Sequence, residues 1–263
     1  MKFKDIETAE QLLQSLNAPI SNPGWTMAYH YTNLESLFQI YKNKTLKLSN
    51  MTGMNDLLEK NFAKTCNDYF FCLSRGKKDN IENFGMWAMY GCIREKKIND
   101  EDVTDYAKKI GVKIAFSKRI LENITNQNSD LTMRLIAYGD FISGKKCLKI
   151  KSGSSSSTKK ELHLDNSLYG YLKDNSWSYE KELRLCLSYD RSENYTPKDN
   201  SVFVSINEEL LKNLEVYPSP LYDTEKCYEL FEKLKKHNKS ESIITPNFKE
   251  NKYKSLYQDG NHK

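Results

Sequence analysis

Three residues in Trp177-Ser178-Tyr179-Glu180-Lys181-Glu182-Leu183-Arg184 have types that could do chemistry at a spacing that would align them. In an extended strand the side chains alternate, so Glu180, Glu182 and Arg184 would share one face and Tyr179, Lys181 and Leu183 the other. Two carboxylates and a guanidinium in one row make either a salt-bridge ladder or a catalytic face. A second segment, Tyr29-His30-Tyr31-Thr32, runs straight into a helical pattern. An imidazole and a hydroxyl there would offer hydrogen bonds to ribose hydroxyls or a carboxamide, beside a helix end that favours phosphate. The alternative is a half-buried strand histidine bonded to the backbone.

Between these lie Met54-Asn55-Asp56-Leu57-Leu58-Glu59 and Phe84-Gly85-Met86-Trp87-Ala88-Met89-Tyr90-Gly91. Trp87 and Tyr90, at i and i+3 of a helix, would share a face and could wall a planar ring. Core packing is the competing reading for that pair. Turn and cap duties compete for Asn55 and Asp56.

The elements that must position these residues follow from periodicity. The pattern predicts a helix over 8–16, a strand over 27–31, a helix over 34–43, a strand over 45–49, a loop over 50–56, a helix over 57–67 and a strand over 69–74. Leu34, Leu37, Phe38 and Tyr41 recur at i, i+3, i+4 and i+7, and Thr32-Asn33-Leu34-Glu35 resembles a capping box. Residues 80–91 read as helical or irregular around Trp87. Strands are expected over 112–116, 133–138 and 146–150, with a short helix over 117–124. A helix over 164–173, a strand pair over 179–187 and 201–206, a helix over 223–236 and a last strand over 242–245 complete the reading.

Residues 151–160 have the Ser/Lys-rich composition of a flexible insertion. Three stretches are thereby expected: an N-terminal helical brace over 1–25, one domain over 26–245, and a polar tail over 246–263.

Composition bounds the function. The chain has 263 residues, 40 Lys+Arg against 35 Asp+Glu, 38% hydrophobic residues and 12% aromatics, which suits a globular protein of one or two domains. No run approaches the length of a membrane span, and the charged start of the chain lacks a signal-peptide apolar region. Six cysteines without a C-x-x-C pair point to a reduced, cytoplasmic setting. No cysteine stands at metal-ligand spacing from His163 or His237, so no metal is expected. Nucleophile-elbow, zinc-protease, P-loop and Rossmann glycine patterns are lacking too. A net charge of +5 is too small to argue for nucleic acid by itself.

The order Y-H-Y-T-N-L-x-S-L, M-N-D-x-x-E, F-x-C-L-S, M-W-A-M-Y-G and W-S-Y-E-K-E-L-R resembles the bacterial family catalogued as domain of unknown function 2971, from about Tyr29 to Arg184. That family's usual pattern has proline after N-D and Trp or Tyr before the closing arginine; Leu57 and Leu183 stand there in this chain. More distantly, a strand ending in His-x-Thr, a helix of N-L-x-S-L type and a late E-x-E strand resemble the ADP-ribosyltransferase fold, including DarT-type DNA-modifying toxins and tRNA 2′-phosphotransferases.

This second resemblance implies an α+β fold with a split β-sheet core and peripheral helices, and NAD as a substrate. It implies that His30, with Tyr31 beside it and Thr32 assisting, holds a ribose, that Trp87 or Tyr90 stacks on nicotinamide, and that Arg184 or Arg75 meets the pyrophosphate. Glu182 would bind the nicotinamide-ribose 2′-hydroxyl and stabilise the oxocarbenium ion, with Glu180 orienting the nucleophile. The implied activity is ADP-ribosyl transfer to a macromolecule, RNA, DNA or protein, in a toxin or phage-defence setting with a neutralising antitoxin protein as a partner. Two alternatives stand beside it: an NAD glycohydrolase, and an inactive nucleic-acid or protein-binding module of the same fold.

Overall fold

The structure, a computed structural model, describes residue 11 and residues 24–54, 59, 68–76, 83–91, 102–141, 147–151, 159–163, 170–188 and 200–251. Most of the expected 8–16 and 57–67 helices, Asn55 and Asp56 fall outside these residues; Gln11 and Glu59 are helical. Two compact units result. One comprises Met1–Gly24, Lys47–Cys72 and Thr125–Val204; the other comprises Trp25–Leu46, Leu73–Ile124 and Ser205–Lys263.

In the first unit, β2 (Thr45–Asn50) pairs antiparallel with β3 (Tyr69–Gly76) through Ser49 opposite Phe70. β10 (Glu182–Leu187) runs beside β3 and pairs antiparallel with β5 (Leu131–Leu135), Arg184 facing Arg134. β11 (Ser201–Ser205) flanks β2. Every residue of β10 is buried, the environment of a strand covered on both faces. A four-stranded sheet in the order β8-β7-β6-β9 completes the unit, from β6 (Ala137–Phe141), β7 (Cys147–Lys151), β8 (Lys159–His163) and β9 (Leu172–Asp174).

Several expectations are corrected here. Lys151 and Lys159 face each other as the last and first residues of the β7–β8 hairpin, so the ends of the proposed 151–160 insertion are strand; residues 152–158 fall outside the described residues. Of the helix expected over 164–173, residues 164–169 fall outside the described residues, and its end is strand: Leu172–Asp174 runs parallel to β6 with Lys173 opposite Tyr138. Long-range pairing overrides a local helical period. The strand expected from Tyr179 begins only at Glu182. Before it, Asn175–Glu180 is a 3-10 helix whose Asp174 cap accepts a hydrogen bond from the Ser176 N–H at 3.0 Å, and Lys181, left-handed at φ 46°, turns the chain into β10.

In the second unit, which takes Leu73–Gly76 of β3, β1 (Met27–Asn33) pairs antiparallel with Ser74–Gly76 on one side and with β4 (Gly111–Ser117) on the other. β12 (Glu215–Pro218) pairs antiparallel with β4 and parallel with β13 (Asn247–Phe248). The Leu34–Asn43 helix buries the expected stripe Leu34, Leu37, Phe38 and Tyr41, together with Ile40. Its cap is Asn33, one residue later than the capping-box reading, accepting from the Ser36 N–H at 2.8 Å. The Thr224–His237 helix buries Cys227, Leu230, Phe231 and Leu234 as predicted. Phe231 meets Phe38 edge-on at 5.7 Å.

The last strand is Asn247–Phe248 and not 242–245. Of the expected polar tail, residues 247–251 are held there too: Asn251 is buried and its Nδ2 donates to the Pro218 carbonyl at 3.1 Å; residues 252–263 fall outside the described residues. Mixed helices and mainly antiparallel strands place the chain in the α+β class, as expected. No helix among the described residues is long and apolar enough to cross a membrane.

Candidate functional site

The pleat of β10 puts Glu182 and Arg184 on one face, as the sequence implied. Its environment is unlike an exposed ladder. Arg184 lies in the core of the first unit and makes four hydrogen bonds: Nε to Glu182 Oε1 at 2.7 Å, Nη2 to Glu182 Oε2 at 3.1 Å and to Glu59 Oε1 at 2.5 Å, and Nη1 to the Gly170 carbonyl at 2.6 Å. Its guanidinium also covers the Phe70 ring at 5.1 Å. Gly170 can make that carbonyl contact because it has φ +87° and no side chain; a Cβ there would lie 2.4 Å from Phe70 Cζ.

Lys173, placed by β9, is the second cation. Its Nζ donates to Glu180 Oε2 at 2.5 Å and to Glu182 Oε2 at 3.1 Å, lies 3.6 Å from Glu59 Oε2, and sits 5.1 Å over the Trp177 ring. Glu180 therefore does join Glu182, through Lys173 and a 3-10 turn and not along a strand face. All five charged residues are 4% exposed or less. Among the described residues the cluster sets three carboxylates against two cations.

Unequal partnering splits the carboxyls. Burial pushes the Glu182 carboxyl up, yet Arg184 and Lys173 outweigh it and hold it down at about 2. Glu182 thus stays ionised across the physiological range. The same burial, with the Glu182 charge beside it, pushes Glu59 above the ordinary carboxyl range despite the pull of Arg184. Burial and the anionic surroundings push the Cys72 thiol up as well, so it is a neutral thiol and a poor nucleophile. The Glu182 backbone is pinned too, its N–H donating to the Tyr138 hydroxyl at 2.7 Å.

The other predicted residues belong to the second unit. His30 and Thr32 are half-buried on β1, opposite Ile114 and Val112, and Arg75 lies opposite Ala28 on β3. Tyr31 and Trp87 meet edge to face at 4.9 Å, and the half-buried Tyr90 packs against the same cluster. The segment Trp87–Gly91 is π-helical, and Trp87 is only 2% exposed, so its ring serves as packing in this conformation.

Lys113, which the sequence reading passed over, is the cation of this unit's cluster. On β4 it has Tyr31 as its neighbour on β1 and Tyr217 as its neighbour on β12. Its Nζ stands 5.1 Å from the Tyr29 and Tyr217 ring centres, 5.8 Å from Trp87 and 6.0 Å from Tyr31. A lysine ringed by four aromatics gains cation–π attraction that offsets its partial desolvation. The available signal was a lysine in the middle of an otherwise apolar strand, V-K-I-A-F.

Residues 104–185 match the family model described as "Protein of unknown function (DUF2971)". The matched stretch supports the first resemblance and contains Lys113, Lys173, Glu180, Glu182 and Arg184; the Y-H-Y-T and M-W-A-M-Y-G motifs precede it. No curated protein and no solved structure matches the chain.

Proposed function

We propose that this chain cleaves NAD at the nicotinamide glycosidic bond and passes ADP-ribose to a macromolecular acceptor. The observation that carries the reading is the Glu182 carboxylate, ionised, buried and fixed by three charge-assisted hydrogen bonds from Arg184 and Lys173. NAD already carries a cationic leaving group, so its cleavage asks mainly for orientation and a preorganised negative charge near the developing oxocarbenium ion. In this reading Glu182 is that charge and Glu180, tied to Lys173, is its neighbour toward the acceptor. Nucleotide binding by His30, Tyr31, Thr32, Arg75, Trp87 and Tyr90 rests on the resemblance alone. The same holds for a toxin or phage-defence setting and for an antitoxin partner.

The test is incubation of wild-type and Glu182→Gln protein with adenine-labelled NAD and total RNA, DNA and protein, following free nicotinamide and label transfer. Glu182→Gln keeps the side-chain shape but removes the ionised partner of Arg184 and Lys173, so circular dichroism is recorded beside the assay and only a folded variant is compared. Nicotinamide release by the wild type, lowered about 10²-fold or more in the variant, is the expected outcome. Label on one polymer identifies the acceptor. Free ADP-ribose without labelled polymer would make the chain a glycohydrolase, and intact NAD in every fraction would sink both readings.

A further inference from the structure

The charge count of the first unit's cluster carries an inference independent of NAD. Arg184 and Lys173 donate three bonds to Glu182, and Lys173 donates one to Glu180. Glu59 receives Arg184 Nη2 on Oε1, whereas its Oε2 is buried with no hydrogen-bond partner, Lys173 Nζ standing 3.6 Å away. A buried carboxylate oxygen without a hydrogen-bond donor is costly in its charged form. Glu59 is 1% exposed, and no group of three or more metal-ligating side chains is found among the described residues. The cation that fits an enclosed single oxygen is a proton.

We propose that Glu59 is held as a neutral carboxylic acid at neutral pH, its Oε2 carrying the proton that balances the cluster, so that ionisation of Glu59 at higher pH is a built-in destabilising switch of the first unit. The charged and titratable groups around it are Arg184 and Glu182 on β10, Lys173 on β9, Glu180 in the 3-10 helix and Cys72 on β3. The raised Glu59 carboxyl agrees with this placement, burial being its main cause. The sign follows from linkage. A group that binds its proton more tightly when folded contributes stability in full below its unfolded value, and loses it as pH rises through the folded one.

Gln mimics the protonated acid, which makes Glu59→Gln the deciding variant. With the full chain at pH 7, Glu59→Gln is expected to melt no lower than wild type, while Glu180→Gln, which loses an ionised partner of Lys173, melts lower. Between pH 5 and pH 8 the wild-type Tm should fall by about 2 °C or more relative to Glu59→Gln. Infrared spectra of the wild type in heavy water should show the C=O stretch of a protonated carboxyl at pH 7. Absence of that band overturns the proposal. So does a Glu59→Gln protein that fails to fold, melts lower than wild type at pH 7, or tracks the wild-type pH curve.

Discussion

Arg184 commits its three nitrogens to Glu182, Glu59 and the Gly170 carbonyl with no exposure to water. Replacing it by Met would leave carboxylates facing one remaining cation in a low-dielectric interior. Breaking a buried pair in this way costs about 3–5 kcal/mol, so Arg184→Met should lower the urea midpoint by the corresponding amount. Arg184→Lys should recover only part of the loss, since an ammonium keeps the charge but not the planar fork. At this scale the sequence was partly legible: E-x-R announced Glu182 and Arg184 by their period of two. Glu59 was visible as a motif residue, but its partner lies 125 residues away. Lys173 was read as part of a helix, which hid its role.

The Leu34–Asn43 helix was legible because its stripe and its cap are both local. Asn33 Oδ1 caps it through the Ser36 N–H, and removing that acceptor leaves a helix-end donor unmatched. Asn33→Ala should therefore cost about 1 kcal/mol, read as a lower thermal midpoint with unchanged far-UV circular dichroism at low temperature. The elements that were misread share one cause. β9 is three residues long and parallel to β6, and the 175–180 segment is a capped 3-10 turn feeding a left-handed Lys181. Their conformations are set by a distant strand and by side chain to backbone bonds, neither of which periodicity records.

For the molecule as a whole, the ionised cluster makes acid stability a property of the first unit's core. The Glu182 carboxyl lies at about 2 against an ordinary 4.5. A group depressed on folding contributes stability above its unfolded value and loses it as pH falls through the folded one. Stability should thus drop by about 3 kcal/mol between pH 5 and pH 2 from this residue. Thermal unfolding across that range should show the drop in the wild type, and the Glu182→Gln variant should lack most of it. A wild-type profile flat over this interval would contradict the assigned charge state.

By itself the sequence determined the class of the fold, the apolar faces of the main helices, the strands β1 and β4, and the pairing of Glu182 with Arg184 on one strand face. These are local properties, fixed by spacing within a few residues. Tertiary structure alone decided that the strand face is buried, that Glu59 and Lys173 complete it, and that Trp87 closes over Tyr31 and Lys113 in place of an open wall. Burial depends on which strands and turns cover a face, and that covering comes from residues far away in the chain. It also shifts the charge states, because burial pushes a carboxyl up while hydrogen-bonded cations hold it down, and Glu182 and Glu59 receive these in different measure.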